Sequence, residues 1–195
     1  MTSTSPPFPL LRLPYLPLYK VLSNFECEEL IDLSICSRRC QLAVRLTKSK
    51  LTGMNACIGS QLFSLMVYSG RKLKSSWTSG LNECTESFFN VGLKGKSVKV
   101  RHYNNTLQFY PPPKDRKHII TALIDHFSET FKIPITFVEF IANDFDDYLS
   151  FVPCISESEE IEFYGKTPIS EEDQVYIKRT VKPKAKLSFY PRKDE

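Results

Sequence analysis

Apolar residues in the first 48 positions recur with the spacing of amphipathic helices. Four of them follow an i, i+3, i+4, i+7 pattern: Leu18, Val21, Leu22 and Phe25. A second helix is predicted over 26–36, where glutamates lie at the end that the helix dipole favours for negative charge, and a third over 37–47. Three short helices in about 40 residues cannot bury all their apolar side chains among themselves. The pattern therefore predicts a helical unit that keeps an apolar surface for a partner.

A different pattern follows a boundary near 50–55, where glycine, serine and asparagine separate shorter apolar segments that are typical of strands. The most regular helix is expected over 115–131, with Ile120, Leu123, Ile124 and Phe127 in the core, followed by a strand over 135–141. The other expected elements are strands over 62–68, 97–103 and 107–110, a short helix over 143–150, and short strands over 162–164 and 175–177. The second and third of these strands are expected to form a hairpin. The predicted fold class is α+β, a three-helix unit followed by a mixed α/β domain.

Composition fits a globular protein and excludes few functions. The chain has 195 residues, 42% of them hydrophobic, and 26 Lys and Arg against 22 Asp and Glu give a net charge of +4. That surplus is too small to imply a nucleic-acid or membrane partner by itself. The proline-rich N-terminus lacks the pattern of a secretory signal, and no apolar run is long enough to span a membrane. We therefore expect a location in the cytoplasm or the nucleus and no membrane contact.

The six cysteines contain no CxxC pair, so the usual zinc and thioredoxin spacings are missing. Cys84 or Cys154 could pair with His102, His118 or His126, but no nucleophile motif surrounds them. We expect free thiols, no metal, no cofactor and no catalytic residue.

Ordered signals mark residues 8–48. They are Leu13-Pro14 ahead of the first helix, Val21-Leu22 near its end, the acid-led segment 28–33, and the segment 35–39 that enters the third helix. In this order they resemble an F-box, with Cys40 where many members place a tryptophan. The resemblance implies a three-helix F-box at 8–50 that docks on the Skp-type adaptor of cullin–RING ubiquitin ligases. The residues it implies for adaptor binding are all apolar: Leu13, Pro14, Leu16, Leu18, Val21, Leu22, Leu30, Leu33 and Ile35.

In residues 117–145 a helix that ends in a phenylalanine leads through a proline to a strand. This stretch resembles the nematode-expanded F-box-associated domain of type 2, which would occupy 55–195. The chain looks shorter than that family at its C-terminal end, where the Lys-rich segment 181–195 departs from the family texture. The two resemblances together imply a non-catalytic substrate receptor of an SCF-type cullin–RING E3 ubiquitin ligase, with a protein target that the sequence does not identify.

Basic and aromatic residues are interleaved between positions 92 and 118. Lys99 and Arg101 share one side of an expected strand, and Tyr103, Tyr110 and Lys114 lie close to them in sequence. We expect this surface to grip the target, because exposed loops and strand faces usually do so. The same mixture suits single-stranded nucleic acid through phosphate contacts and base stacking, so a nucleic-acid-binding protein is the alternative function.

Overall fold

The computed structural model of the chain describes residues 9–59, 62–79, 88–103 and 106–191. It begins with a 3-10 turn, Leu10–Arg12, and three helices: α1 (Tyr15–Leu22), α2 (Cys27–Cys36) and α3 (Arg38–Arg45). The three predicted helices are confirmed. The first begins three residues before Leu18, since Pro17 lies in the first turn, whose N–H groups need no helical partner.

Local capping fixes where α2 and α3 begin. The side chains of Glu26 and Glu29 form a reciprocal capping box at α2. The Ser37 hydroxyl accepts the backbone N–H of Cys40 at 3.1 Å and so caps α3.

The rest of the chain forms a nine-stranded mixed sheet with order β4-β5-β6-β3-β2-β1-β7-β8-β9. The strands are β1 (Gly53–Ile58), β2 (Phe63–Ser69), β3 (Lys72–Ser79), β4 (Phe89–Leu93), β5 (Lys96–Tyr103), β6 (Thr106–Tyr110), β7 (Ile135–Ile141), β8 (Glu160–Gly165) and β9 (Lys186–Pro191). Two antiparallel groups, β1-β2-β3 and β4-β5-β6, meet through a parallel pair of β3 and β6. Strands β7, β8 and β9 continue in parallel from β1.

Two more helices connect the strands, α4 (Arg116–Phe131) and α5 (Glu171–Thr180). Shorter 3-10 segments lie at Pro113–Asp115, Ala142–Asp144 and Tyr148–Ile155. The α+β class is therefore confirmed.

One face of the sheet carries the core. The predicted core positions on α4, Ile120, Leu123, Ile124 and Phe127, are all fully buried. Phe127 meets the ring of Trp77 from β3 edge-on at 5.9 Å between centroids. The same continuous cluster includes residues from the N-terminal helices and from β8, so it extends across the boundary near 50–55. The division into units 8–50 and 55–195 stays a prediction.

The helix over 115–131 and the strands over 62–68, 97–103, 107–110, 135–141 and 162–164 are confirmed to within two residues. The antiparallel hairpin of β5 and β6 is also confirmed, while its link at Asn104 and Asn105 lies outside the described residues. In place of one helix over 143–150, the structure has two 3-10 segments.

The strand predicted over 175–177 was wrong, because those residues lie inside α5. The Ser170 hydroxyl caps this helix by accepting the N–H of Asp173 at 3.1 Å. Acidic residues fill its first turn and basic residues its last, as the helix dipole favours. These end signals outweigh the alternation of Val175, Tyr176 and Ile177.

Candidate functional site

Helix α1 exposes apolar side chains to solvent. Leu16 has 73% of its surface exposed and Tyr15 has 55%, and Val21 is exposed near the helix end. On α3, Leu42 is exposed too, as is Leu46 at its C-terminal cap. We call these five residues the helical apolar surface.

The predicted adaptor-binding residues divide into three groups. Pro14, Leu16 and Val21 are exposed, and Leu13, Leu18 and Leu33 are half-buried. Leu22, Leu30 and Ile35 lie in the core, because α1 packs on α3 and α2 packs on α3, β3 and β4. The sequence pattern cannot separate these groups, since an apolar residue at helical spacing fits a core and an interface equally well.

A buried polar network joins the N-terminal helices to α4. The Ser34 hydroxyl donates to the carbonyl oxygen of Ile31 at 2.7 Å and lies 2.9 Å from Nε2 of His126. Gln41 Nε2 lies 3.2 Å from Nδ1 of the same ring and donates to the Thr130 hydroxyl at 2.8 Å. This pattern fits a neutral imidazole that donates through Nε2 and accepts at Nδ1.

Burial lowers the pKa of His126 to about 4, and the nearby Arg38 guanidinium adds to the shift. Because the Ser34 hydroxyl already donates to a carbonyl, His126 donates to Ser34 and does not act as its base. The network therefore holds α2 and α3 on α4. It differs from a nucleophile–base pair, in which the ring nitrogen accepts the hydroxyl proton.

Some of the cysteine–histidine pairs considered from the sequence contain Cys84 or the His102 side chain. These two lie outside the described part of the structure. Cys154 donates to the carbonyl oxygen of Phe151 at 2.9 Å. The described cysteines are free thiols, and among the described residues no three His, Cys, Asp or Glu side chains converge on a common point that could hold a metal ion.

Three of the predicted target-binding residues come together on β5 and β6. The Arg101 guanidinium lies 5.8 Å from the centre of the Tyr110 ring, and Lys99 Nζ lies 5.8 Å from that of Phe88. The two rings meet edge-on at 5.2 Å. Oε1 of Gln108 accepts from Nε of Arg101 at 2.8 Å and from the Tyr110 hydroxyl at 3.0 Å. We call Phe88, Lys99, Arg101, Gln108 and Tyr110 the basic-aromatic cluster.

The other two predicted residues add nothing to this cluster in the described structure. The side chain of Tyr103 is outside the described part, and Lys114 is exposed in the 3-10 turn before α4. Lys114 lines a cleft of about 570 Å³ together with Lys117, Asp147 and Phe151.

Three lysines between positions 92 and 118 form ion pairs with acids of the described structure. Nζ of Lys94 lies 2.5 Å from Oδ2 of Asp125 and 3.7 Å from Oε1 of Glu129, both on α4. Nζ of Lys96 lies 3.0 Å from Oδ1 of Asp115, and Nζ of Lys117 lies 3.8 Å from Oδ2 of Asp147. The basic stretch therefore does not form one continuous cationic track, which is what a nucleic-acid backbone would need.

The sheet face opposite the helices carries a row of residues that face one another strand by strand. The row is Arg101, Gln108, Thr78, Ser64, Cys57, Glu139, Glu162 and Ser188, in order from β5 to β9. It has a cation at one end, small side chains in the middle and, toward the other end, two adjacent carboxylates followed by Ser188. We call it the cross-sheet row.

Sequence reasoning missed the acidic half of this row. Alternation in β7 and β8 could have placed Glu139 and Glu162 on the solvent-facing side of each strand. No local signal shows that these strands pair in parallel, or that they lie in the same sheet as Arg101.

Comparisons with protein-family models, with curated proteins and with solved structures gave no match. Within the described residues, no helix is both long and apolar enough to cross a membrane. The fold and the two surfaces are thus the basis for assigning a function.

Proposed function

We infer that the chain is a non-catalytic binding subunit of an SCF-type cullin–RING ubiquitin ligase. The N-terminal helices bind the Skp-type adaptor. A protein target binds the sheet face that no described helix covers, which we call the open face. A location in the cytoplasm or the nucleus accompanies this role. The F-box-like order of signals in residues 8–48 and the surfaces described above support the proposal.

The observation that carries the proposal is the exposure of Leu16 and its neighbours on α1. Exposed apolar side chains grouped on one helix, as Leu16 (73%), Tyr15 (55%) and Val21 are on α1, are typical of a surface that a partner covers. The Pro14, Leu16 and Val21 positions, which the resemblance assigns to the adaptor, are the ones that remain accessible. Leu22, Leu30 and Ile35 would then support the interface from beneath.

The basic-aromatic cluster supports the second half of the proposal. Its cations and rings lie on a sheet face that no described helix covers, and aromatic residues and arginine are enriched at protein interfaces. The mechanism would be proximity, because a receptor that holds adaptor and target raises the effective concentration of the target's lysines near the ubiquitin-charged enzyme.

The first prediction tests adaptor binding. We expect Leu16→Asp to abolish co-purification with a Skp-type adaptor, because the new carboxylate would lose its water in the interface. The matched control is Leu73→Asp on β3, where the leucine is 51% exposed and lies outside the helical apolar surface. Both variants should keep the wild-type circular dichroism spectrum.

Retention of the adaptor by a folded Leu16→Asp protein would contradict the proposal. Leu22→Asp is not a suitable substitute, because Leu22 is in the core and the change would unfold the helices.

A further inference from the structure

The open face of the sheet carries opposite charges at its two ends. In the cross-sheet row Arg101 lies on β5 and Glu162 on β8, and each of these strands is three places from β2 in the sheet order. Gln108 on β6 and Glu139 on β7 are each two places from β2, and Thr78 and Cys57 are one place from it. The part of the row from Arg101 to Glu162, which leaves out Ser188 on the edge strand β9, is therefore arranged about Ser64 at its centre.

This arrangement is self-complementary under one symmetry operation. A two-fold rotation about an axis along β2 exchanges the two ends of the sheet and keeps each residue at its height along the strands. Arg101 of one copy then faces Glu162 of the other, Gln108 faces Glu139, and Ser64 faces itself. A two-fold axis across the strands would instead bring like ends together.

We propose that a second copy of this chain packs on the open sheet face, with its two-fold axis along β2. Face-to-face sheets lie about 10 Å apart, which is within reach of an arginine and a glutamate that face each other. Small side chains at Ser64, Thr78 and Cys57 allow that approach at the centre. The twist of a sheet is unchanged by such a rotation, so the two faces also match in shape.

The hydrogen bonds inside the cluster are consistent with this partner. The Oε1 atom of Gln108 accepts from Arg101 and Tyr110, so the amide nitrogen is the group of this side chain that can donate to a partner. The group it would meet is the Glu139 carboxylate. Glu139 and Glu162 face each other on adjacent strands, and the Tyr164 hydroxyl donates to Glu162 at 2.8 Å. Donors from a partner would further relieve the repulsion between the two carboxylates.

The dimer would be weak and sensitive to salt. From β5 to β8 the face extends about 29 Å across the strands and about 17 Å along them, so each copy contributes about 500 Å². That total of about 1,000 Å² is at the lower limit for a specific interface, and its charged ends would be screened by salt. The helices lie on the other face, so both copies would keep their helical apolar surface free.

This inference does not depend on adaptor binding. If a second copy packs on this face, target binding and dimerisation compete for the basic-aromatic cluster. A substitution at Glu162 distinguishes the two, because Glu162 lies outside that cluster. A Glu162 variant that stays monomeric would still present the cluster to a target.

Analytical ultracentrifugation of the full chain tests the proposal. The wild type should show a concentration-dependent dimer that weakens at high salt. Arg101→Glu and Glu162→Arg should each weaken it about tenfold or more, because each places like charges together at two symmetry-related positions. The control Glu172→Lys, on α5 on the helical side, makes a comparable charge change and should leave the dimer intact.

An equimolar mixture of the two variants is the decisive measurement. The Arg101→Glu chain and the Glu162→Arg chain restore opposite charges across both contacts, so the mixture should dimerise at concentrations where each variant alone is mostly monomeric. If either variant has a lowered unfolding temperature, Glu139→Lys provides a second acidic-end substitution. A wild type that is monomeric at every concentration, or folded variants whose mixture stays monomeric, would overturn the proposal.

Discussion

His126 connects two parts of the molecule that are far apart in sequence. Its ring reaches Ser34 on α2 and Gln41 on α3, and its burial keeps it neutral in the folded protein. Protonation would force the ring to donate from both nitrogens, and Gln41 would then have to turn its amide or lose its bond.

The folded state therefore disfavours the protonated ring. Because the folded pKa is about 4 and the ordinary value is 6.5, the unfolded chain binds more protons between these values. The unfolding free energy therefore has its full value above pH 6.5 and decreases as the pH falls toward 4. The difference corresponds to about 3 kcal/mol of unfolding free energy.

We expect the urea-unfolding free energy of the wild type to fall more steeply over this pH range than that of His126→Gln. Glutamine can still donate to Ser34 but does not titrate. Every other titratable group contributes equally to the pH dependence of both proteins. Parallel curves for the two proteins would show that His126 does not set the pH dependence.

At the residue scale, the sequence predicts which residues lie in the core better than it predicts which residues contact one another. The spacing of Ile120, Leu123 and Phe127 is enough to place them in a helix that packs on a sheet. It does not show that a polar residue between them, His126, faces a serine 92 positions away. Only the tertiary arrangement brings such partners together.

At the scale of elements, the turn between β4 and β5 depends on two unusual backbone conformations. Lys94 and Gly95 both have positive φ, 43° and 85°, as a two-residue hairpin turn of type I′ requires. From this turn the Lys94 side chain reaches Asp125 and Glu129 on α4. The turn thus fixes the edge of the sheet against the helix layer.

Gly95→Ala should lower the unfolding free energy by about 1–2 kcal/mol, because a side chain is strained in the left-handed region. Gly92→Ala, three residues earlier in β4, is the matched control: a methyl group there meets no atom of the described structure within 4 Å, and its φ is ordinary. Thermal unfolding should show a loss for Gly95→Ala alone. Equal losses in the two variants would contradict this account of the turn.

Most helices were easier to predict than the strands, although α5 was missed while carrying the same end signals. Caps, dipole-favoured charges and helical spacing all act within a few residues, so α2, α3 and α4 follow from local signals. Strands β1, β3, β4 and β9 were missed, because short segments with serine, lysine or glycine become strands only when neighbours supply their hydrogen bonds. No strand was predicted in the Lys-rich segment 181–195, yet part of it forms β9 against β8.

At the scale of the whole molecule, the helical and sheet regions share one core. Leu22 and Leu30 belong to the same buried cluster as Trp77 and Phe163. A region that contributes to a common core cannot unfold without exposing its neighbours.

We therefore expect one cooperative unfolding transition. Trp77 is the chain's single tryptophan and is fully buried, so its fluorescence reports on the sheet, while far-ultraviolet circular dichroism reports chiefly on the helices. The two signals should change at the same denaturant concentration. An earlier transition in circular dichroism would instead mean that the N-terminal helices unfold separately.

The position of β1 also has a kinetic consequence. On one side it pairs with β2, the next strand along the chain, but on the other its partner is β7, with Met54 facing Ile135. Contacts between neighbours in sequence close short loops and form early, whereas this second pairing must close a loop of about 80 residues. We expect β1 and β2 to belong to the folding nucleus and the β7-β8-β9 half to join after the rate-limiting step. Substitutions in β2 would then slow folding, and those in β8 would mainly speed unfolding.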